Sequence, residues 1–351
     1  MPNPGTELKN KLEEFGMSRK ELAQRINVSE KHICTVINGN RGISAAFARK
    51  LGYVFPPTSH WLKLQAKYDE EQTRIQEEHS ITESEIGVLK SLHTIIPYFI
   101  EKGYMHNECG DASKVMQLRE LLNVSDLLLI PNITYNAAYR AQLSSNIKAD
   151  PYVLFAWQRL CEKETENLKT EGALNKELLF DKLQEIKSMM FGEINHGIHN
   201  LQKLLGKCGI AFQVVKNFRG APVQGFIKEL ADHRLILCLT IRRQRADTFW
   251  FTLFHEIAHI LNNDYTNRFV DFDSIHSEKE AKADAFARNI LINPELYREF
   301  LHTSDCITWK NIEEFARLAQ VQPFIVLGRL QNDGILDWSD YSDKLTRYSW
   351  A

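Results

Sequence analysis

Within His255-Glu256-Ile257-Ala258-His259, two histidines stand four residues apart with a glutamate beside the first. On a helix that spacing sets both imidazoles on one face, where they can hold a zinc ion while the glutamate handles protons. The flanks decide how the motif is read. Phe249-Trp250-Phe251, Leu253-Phe254 and then Ile257, Ala258, Ile260 and Leu261 make an almost unbroken apolar run, which predicts a buried helix, and Asp247 reads as its N-cap. Polar side chains in such a helix are costly unless bonded. A metal ion supplies the partner.

A second helical segment follows at Glu278-Lys279-Glu280-Ala281-Lys282-Ala283-Asp284-Ala285-Phe286-Ala287. Glu280 can complete a His255, His259, Glu280 ligand set, and Asp284, one turn on, can steady a ligand histidine from behind. Glu278 competes for the third place; Glu280 is preferred because only it has an aspartate one turn later. Three protein ligands leave one position for water, whose pKa the metal lowers, and Glu256 can take that proton during attack on a peptide carbonyl. Candidates for steadying the oxyanion are His276, Tyr265, Arg242 and Arg243.

At 351 residues, with 44% hydrophobic and 25% charged content, the chain is expected to fold into two or three domains with real cores. No apolar run approaches the length of about 18 residues that a membrane span needs. The start, Met1-Pro2-Asn3-Pro4-Gly5, has neither basic nor apolar leader character, so a cytoplasmic protein is expected. Cysteines 34, 109, 161, 208, 238 and 306 lack CxxC spacing, which argues against a thiolate zinc site or disulfide framework. The net charge of -2 hides an asymmetry: residues 1–68 hold 11 Lys+Arg against 5 Glu, and the remainder 32 against 40. A basic module joined to an acidic body suggests that the first segment meets a polyanion.

That module has the pattern of a helix-turn-helix. Leu8, Leu12 and Phe15 lie at helical spacing before Gly16, and Ser18-Arg19-Lys20-Glu21 is a capping-box start. After the turn Asn27-Val28-Ser29, Ser29 is expected to cap a third helix, Glu30 to Ile37, ending at Asn38-Gly39. Such a helix can enter a major groove. Ser29 stands at its entrance, Glu30, Lys31, His32 and Thr35 face outward toward base edges, and Arg19 and Arg41 flank it where phosphates would pass. A protein-docking module would share the helical pair; the turn spacing and charge balance favour double-stranded DNA.

The run from Met17-Ser18-Arg19-Lys20-Glu21-Leu22-Ala23 through Val28-Ser29 to Asn38-Gly39-Asn40-Arg41-Gly42-Ile43 resembles the XRE, or lambda-repressor-like, helix-turn-helix family, most of all its HigA-type antitoxin branch. Arg19 stands where that family often has glutamine. Arg242-Arg243, Asp247, the stretch Phe249 to Glu256, His259, and Glu280 to Asp284 resemble the ImmA/IrrE family of bacterial metallopeptidases. That resemblance implies zinc ligands at His255, His259 and Glu280 and a catalytic acid/base at Glu256. Ala258 replaces a usual glycine, and Asn293 interrupts a frequent Leu-Ile-Pro string.

The expected fold is mainly α, of α+β class. It comprises a lambda-repressor-like bundle over 1–70, a helical middle region over 71–190, a zincin-like zinc peptidase domain with a small sheet over 191–300, and a helical, winged or helix-turn-helix-like extension over 301–351. Tyr68 to Ser80 reads as an exposed linking helix. Ala138-Tyr139-Arg140 and Trp157-Gln158-Arg159 are similar to a region that joins XRE and ImmA/IrrE modules. His196, His199 and Glu193 are weighed and set aside as a second metal site, lacking a buried run. Cys208 to Val215 and Arg234 to Ile241 alternate or run apolar as strands do, with Val223 to Ile227 expected between them. An exposed sheet edge could pair with an extended peptide.

Together these features predict a dimeric DNA-binding repressor or antitoxin whose zinc peptidase domain cleaves a regulatory protein. The alternative is a non-catalytic HigA-type antitoxin or sensor in which the zincin fold binds a partner, such as a toxin, without cleaving it.

Overall fold

The computed structural model describes residues 3–107, 110–133, 138–141, 150–230, 233–242, 244–263, 278–303 and 307–348. Two compact units are present: Met1–Ile86 with Cys109–Met116, and Gly87–Glu108 with Gln117–Ala351. Among the described residues no helix is long and apolar enough to cross a membrane.

In the first unit the helices are α1 (Pro4–Glu14), α2 (Arg19–Arg25), α3 (Glu30–Ile37), α4 (Ala45–Val54) and α5 (Thr58–Ser80). Each start has a local cause. The Ser18, Ser29 and Ser44 hydroxyls accept from the amides of Glu21, His32 and Phe47, satisfying donors that a helix leaves open. Only half of the expected capping box forms, because the Glu21 carboxylate turns to Arg25 instead, 2.7 Å away. The turn between α2 and α3 passes through Asn27 at φ +50°, a left-handed conformation that asparagine tolerates. Leu8, Leu22, Ile33, Val36, Phe47, Leu51 and Trp61 fill the core, and the Trp61 indole donates to the Phe55 carbonyl at 2.9 Å. Tyr68 to Ser80 is the exposed second half of α5, which begins ten residues earlier than the charge pattern indicated.

The remaining helices are α6 (Glu83–Ser91), α7 (Ile96–Glu101), α8 (Asp111–Leu122), α9 (Pro151–Thr165), α10 (Lys176–Asp181), α11 (Leu183–Ser188), α12 (Ile194–Lys207), α13 (Ala246–Leu261), α14 (Glu278–Leu291), α15 (Pro294–Thr303), α16 (Trp309–Leu318) and α17 (Pro323–Asn332). Four strands, β1 (Ala138–Ala141), β2 (Ile210–Val214), β3 (Val223–Glu229) and β4 (Leu235–Leu239), form one sheet in the order β1-β3-β4-β2. The expectation that residues 223–227 lie between the other two strands is corrected here. β2 and β4 pair directly and in parallel, and β3 pairs antiparallel on the far side of β4. β4 is buried at every position, as a strand covered on both faces must be.

Alternation along β3 assigns its two faces. Phe226 meets Trp157 of α9, ring centroids 5.7 Å apart, while Gly225 faces α13. The α13 face carries the main core, which runs through Phe212, Leu237, Trp250 and Phe254 to Phe315, Phe324 and Leu330. Residues 309–348 therefore share one core with the motif helix.

Candidate metal centre

α13 and α14 hold the motif residues. His255, Glu256 and His259 have no exposed surface, so burial follows the apolar flanks, as expected. The Nε2 atoms of His255 and His259 are 2.9 Å apart. Glu280 in the first turn of α14 brings Oε2 to 3.1 Å of the His255 Nε2 and Oε1 to 3.6 Å of the His259 Nε2. An ion with four tetrahedral bonds of about 2.0–2.1 Å spaces its donors about 3.3 Å apart, so the three side chains fit such an ion. Among the described residues this is the group of His, Cys, Asp or Glu side chains that could hold a metal.

The two glutamates weighed for the third place, of which Glu280 was preferred, take different directions. Glu278 is exposed and pairs with Lys282 at 2.6 Å; that hydrogen bond, followed by the coulombic attraction, holds its carboxyl below the usual carboxylate range. Glu280 turns inward. Asp284 Oδ1 lies 2.8 Å from the His255 Nδ1, but off the line that a ring N–H would take, an ion-pair distance without hydrogen-bond alignment.

The Glu256 carboxylate lies against β3, at Gly225. Both of its carboxylate oxygens are buried without a hydrogen-bond partner. An ionisable group in that state is costly, which marks a site shaped for something other than stability. Gly225 makes the room: a Cβ there would come within 2.6 Å of the Glu256 Cγ and Cδ. An interior strand glycine signals close approach, and that signal was present in the sequence and went unused.

Asp247 is not the N-cap. Arg245 holds that position without a side-chain cap, and Asp247 stands in the first turn, where a carboxylate also favours the helix dipole. Its oxygens take a forked pair of bonds from Arg245, at 2.9 Å from Nε and 2.8 Å from Nη2. Arg245 also donates to the Gln331 Oε1 at 2.8 Å and lies 5.1 Å over the Trp338 ring. Gly328 leaves space for Asp247, since a Cβ there would reach 2.8 Å from the Asp247 Cβ. The chain end adds a strap: Thr346 accepts from the Ala246 amide at 3.0 Å, and Tyr348 Oη accepts from the Trp250 indole at 2.9 Å. At the other end of α13, Lys176 Nζ donates to the Leu261 carbonyl at 3.1 Å, a cation at a helix C-terminus. Apart from the fork between Arg245 and Asp247, these braces were not anticipated, because their partners are 80 or more residues distant along the chain.

Of the oxyanion candidates, Arg242 directs Nη1 to the Pro222 carbonyl at 3.5 Å; Arg243, Tyr265 and His276 lie outside the described residues, as do Cys109 and Cys306. Cys34, Cys161, Cys208 and Cys238 are free thiols. His196 and Glu193 form a solvated pair, both side chains more than four-fifths exposed.

In the first unit, Arg19, Ser29, Glu30, Lys31 and Arg41 are exposed and His32 and Thr35 half-buried. The Ser29 hydroxyl is committed to the α3 cap, and the Thr35 hydroxyl donates to the Lys31 and His32 carbonyls at 2.9 and 2.8 Å. His32 stacks edge-on against Phe47. Burial, then Arg41 and Lys50, hold its pKa below the ordinary imidazole value.

Residues 225–331 match the Peptidase_M78 family model, described as an IrrE N-terminal-like domain. That match contains His255, Glu256, His259, Glu280 and Asp284. The chain is 41% identical over 70 residues to Virulence-associated protein A' of Dichelobacter nodosus, covering 19% of this chain and 61% of that protein. In its N-terminal region it is similar to the antitoxin HigA of Pseudomonas aeruginosa, solved with the higBA promoter, at 32% identity over 23% of this chain and 96% of that one, with a TM-score of 0.21. A HigA-family addiction module antidote protein from Coxiella burnetii is 28% identical, with 23% and 95% of the two chains covered and a TM-score of 0.21.

Proposed function

We propose that this protein is a DNA-binding regulator, an XRE-type repressor or antitoxin, whose IrrE-like domain is a zinc-dependent peptidase acting on a regulatory protein. The observation that carries the enzymatic half is the buried convergence of His255, His259 and Glu280 with an unpartnered Glu256 carboxylate beside them. His255, His259 and Glu280 would hold the zinc, with Asp284 orienting His255. When bound, zinc supplies Lewis acidity that lowers the pKa of water and polarises a carbonyl.

The chain's own residues then do the rest. Glu256, pressed against Gly225 with its oxygens unengaged, accepts a proton from the attacking water and delivers it to the leaving amine. The complete burial of His255, Glu256 and His259 excludes bulk solvent and strengthens each electrostatic contact within the site. For the DNA half, the exposed Glu30 and Lys31 at the start of α3 would face base edges, with His32 and Thr35 behind them. Arg19 and Arg41 would meet phosphates, and Ser29 would act through the cap that fixes the helix entrance. A homodimer on operator DNA follows the symmetry of such readers.

Glu256→Gln tests the reading. In the zinc-loaded full chain it should abolish cleavage of the chain itself or of proteins mixed with it, read by mass spectrometry, while zinc content and operator binding persist. An unchanged fragment pattern removes catalysis. If wild type cuts nothing yet Glu256→Gln alters regulation in cells, the domain serves as a partner-binding platform.

A further inference from the structure

A cavity of about 170 Å³ lies beside the metal centre, on the side of α13 that carries Asp247, Thr248 and Phe251. An apolar cavity of about 150 Å³ takes one benzene-sized molecule, so this one has room for a short side chain or a small acid. Phe251, Leu291 and Ile325 give it an oily wall, and Trp338 stands at its edge. Among its polar residues, two present buried donors without a partner. Gln224 is 4% exposed and its Nε2 is buried without a partner; the Arg288 Nε is buried and likewise unpartnered.

The other charges around the cavity are engaged. Asp247 is gripped by Arg245, Asp284 faces His255, and Arg329 binds Asp333 at 2.7 Å. The positive charge left to the cavity is that of Arg288. Buried donors without acceptors are costly, and they become favourable when an occupant brings the acceptor. A guanidinium beside an amide N–H selects a carboxylate above other acceptors, because the charge-assisted bond is the stronger one.

We propose that this cavity binds a carboxylate carried on a short apolar stem, with Arg288 and Gln224 as its recognising donors. Neither residue belongs to the ligand set or the proton-transfer machinery, so the site stands whether or not the domain cleaves peptides. The same chemistry can come from a free small carboxylic acid or from the acidic side chain of a bound polypeptide. In either case the occupant lies against Asp284, the residue that touches His255.

Hexanoate is the probe, titrated calorimetrically into the full chain, zinc-loaded and metal-free, with hexanamide and hexanol alongside. Saturable binding at one site per chain is expected in both metal states, with hexanamide at least about tenfold weaker. Arg288→Gln and Gln224→Glu should each weaken hexanoate about tenfold or more, Arg288→Lys should keep most of the affinity, and Glu256→Gln should bind as wild type. Circular dichroism and Tm identify any variant that fails to fold, and the remaining variants then carry the test. Tighter binding of a blocked Ala-Glu-Ala peptide than of hexanoate, lost in Ala-Gln-Ala, assigns the occupant to a polypeptide; the reverse order assigns it to a free acid. No saturation up to about 10 mM, equal binding of hexanol, or hexanoate binding that vanishes with the metal yet ignores Arg288→Gln overturns the proposal.

Discussion

α3 and α13 are both helices bearing histidine, and they use polarity in opposite ways. α3 buries Ile33 and Val36 and leaves Glu30 and Lys31 in water, the ordinary arrangement of an amphipathic helix. α13 buries its polar residues together with its apolar ones, His255, Glu256 and His259 having no exposed surface. A solvated face can be altered residue by residue at small cost, since water replaces each lost partner. A dry cluster cannot, because every partner removed leaves another stranded.

The sharpest way to break that comparison is at a ligand. His259→Ala should reduce metal content from about one ion per chain to near none, read by atomic emission on the purified protein. Full occupancy would mean that the three side chains do not hold the ion. Gly225→Ala follows. Its Cβ must displace the Glu256 side chain, and since a shift of about 1 Å can cost on the order of 100-fold, any cleavage should fall by about that factor with metal content intact. Activity equal to wild type would show that the close approach is incidental.

Arg245→Ala leaves Asp247 and Gln331 without their cation. Unfolding in urea should lose about 2 kcal/mol, less than for a fully buried pair because both partners keep some solvent. A loss below about 0.5 kcal/mol would demote the brace to a surface contact. On the exposed helix the effects shrink. Ser29→Ala removes one cap and should cost about 1 kcal/mol in the first unit. Arg19→Ala should weaken all duplexes alike and lower the salt slope by about one, whereas Lys31→Ala should change sequence preference. Sequence-selective loss in Arg19→Ala would reverse those two roles.

Much of the chemistry was legible because it is local. The four-residue histidine spacing, the aromatic flanks and the serine caps are all statements about neighbours on one helix, and helix periodicity carries them without tertiary information. Glu280 was preferred to Glu278 for a reason of the same kind, the aspartate one turn on, and the inward turn of Glu280 agrees with it. Asp247 shows the limit. A carboxylate before an apolar run reads equally as cap or first-turn residue, and the fork from Arg245 places it in the first turn. The strand order failed for a related reason: alternation says which face a residue takes, not which neighbour its strand pairs with.

By itself, then, the sequence determined that residues 255–259 would be a dry, histidine-bearing helix, and that a basic helix-turn-helix would begin the chain, since periodicity and capping act within a few residues. Only the tertiary structure decided that Gly225 yields space to Glu256, that Gln331 and Thr346 brace the start of α13, and that Gln224 and Arg288 face one cavity. Those juxtapositions join residues 31 to 100 positions apart, and it is burial of a shared core, with no local preference to announce it, that brings them into contact.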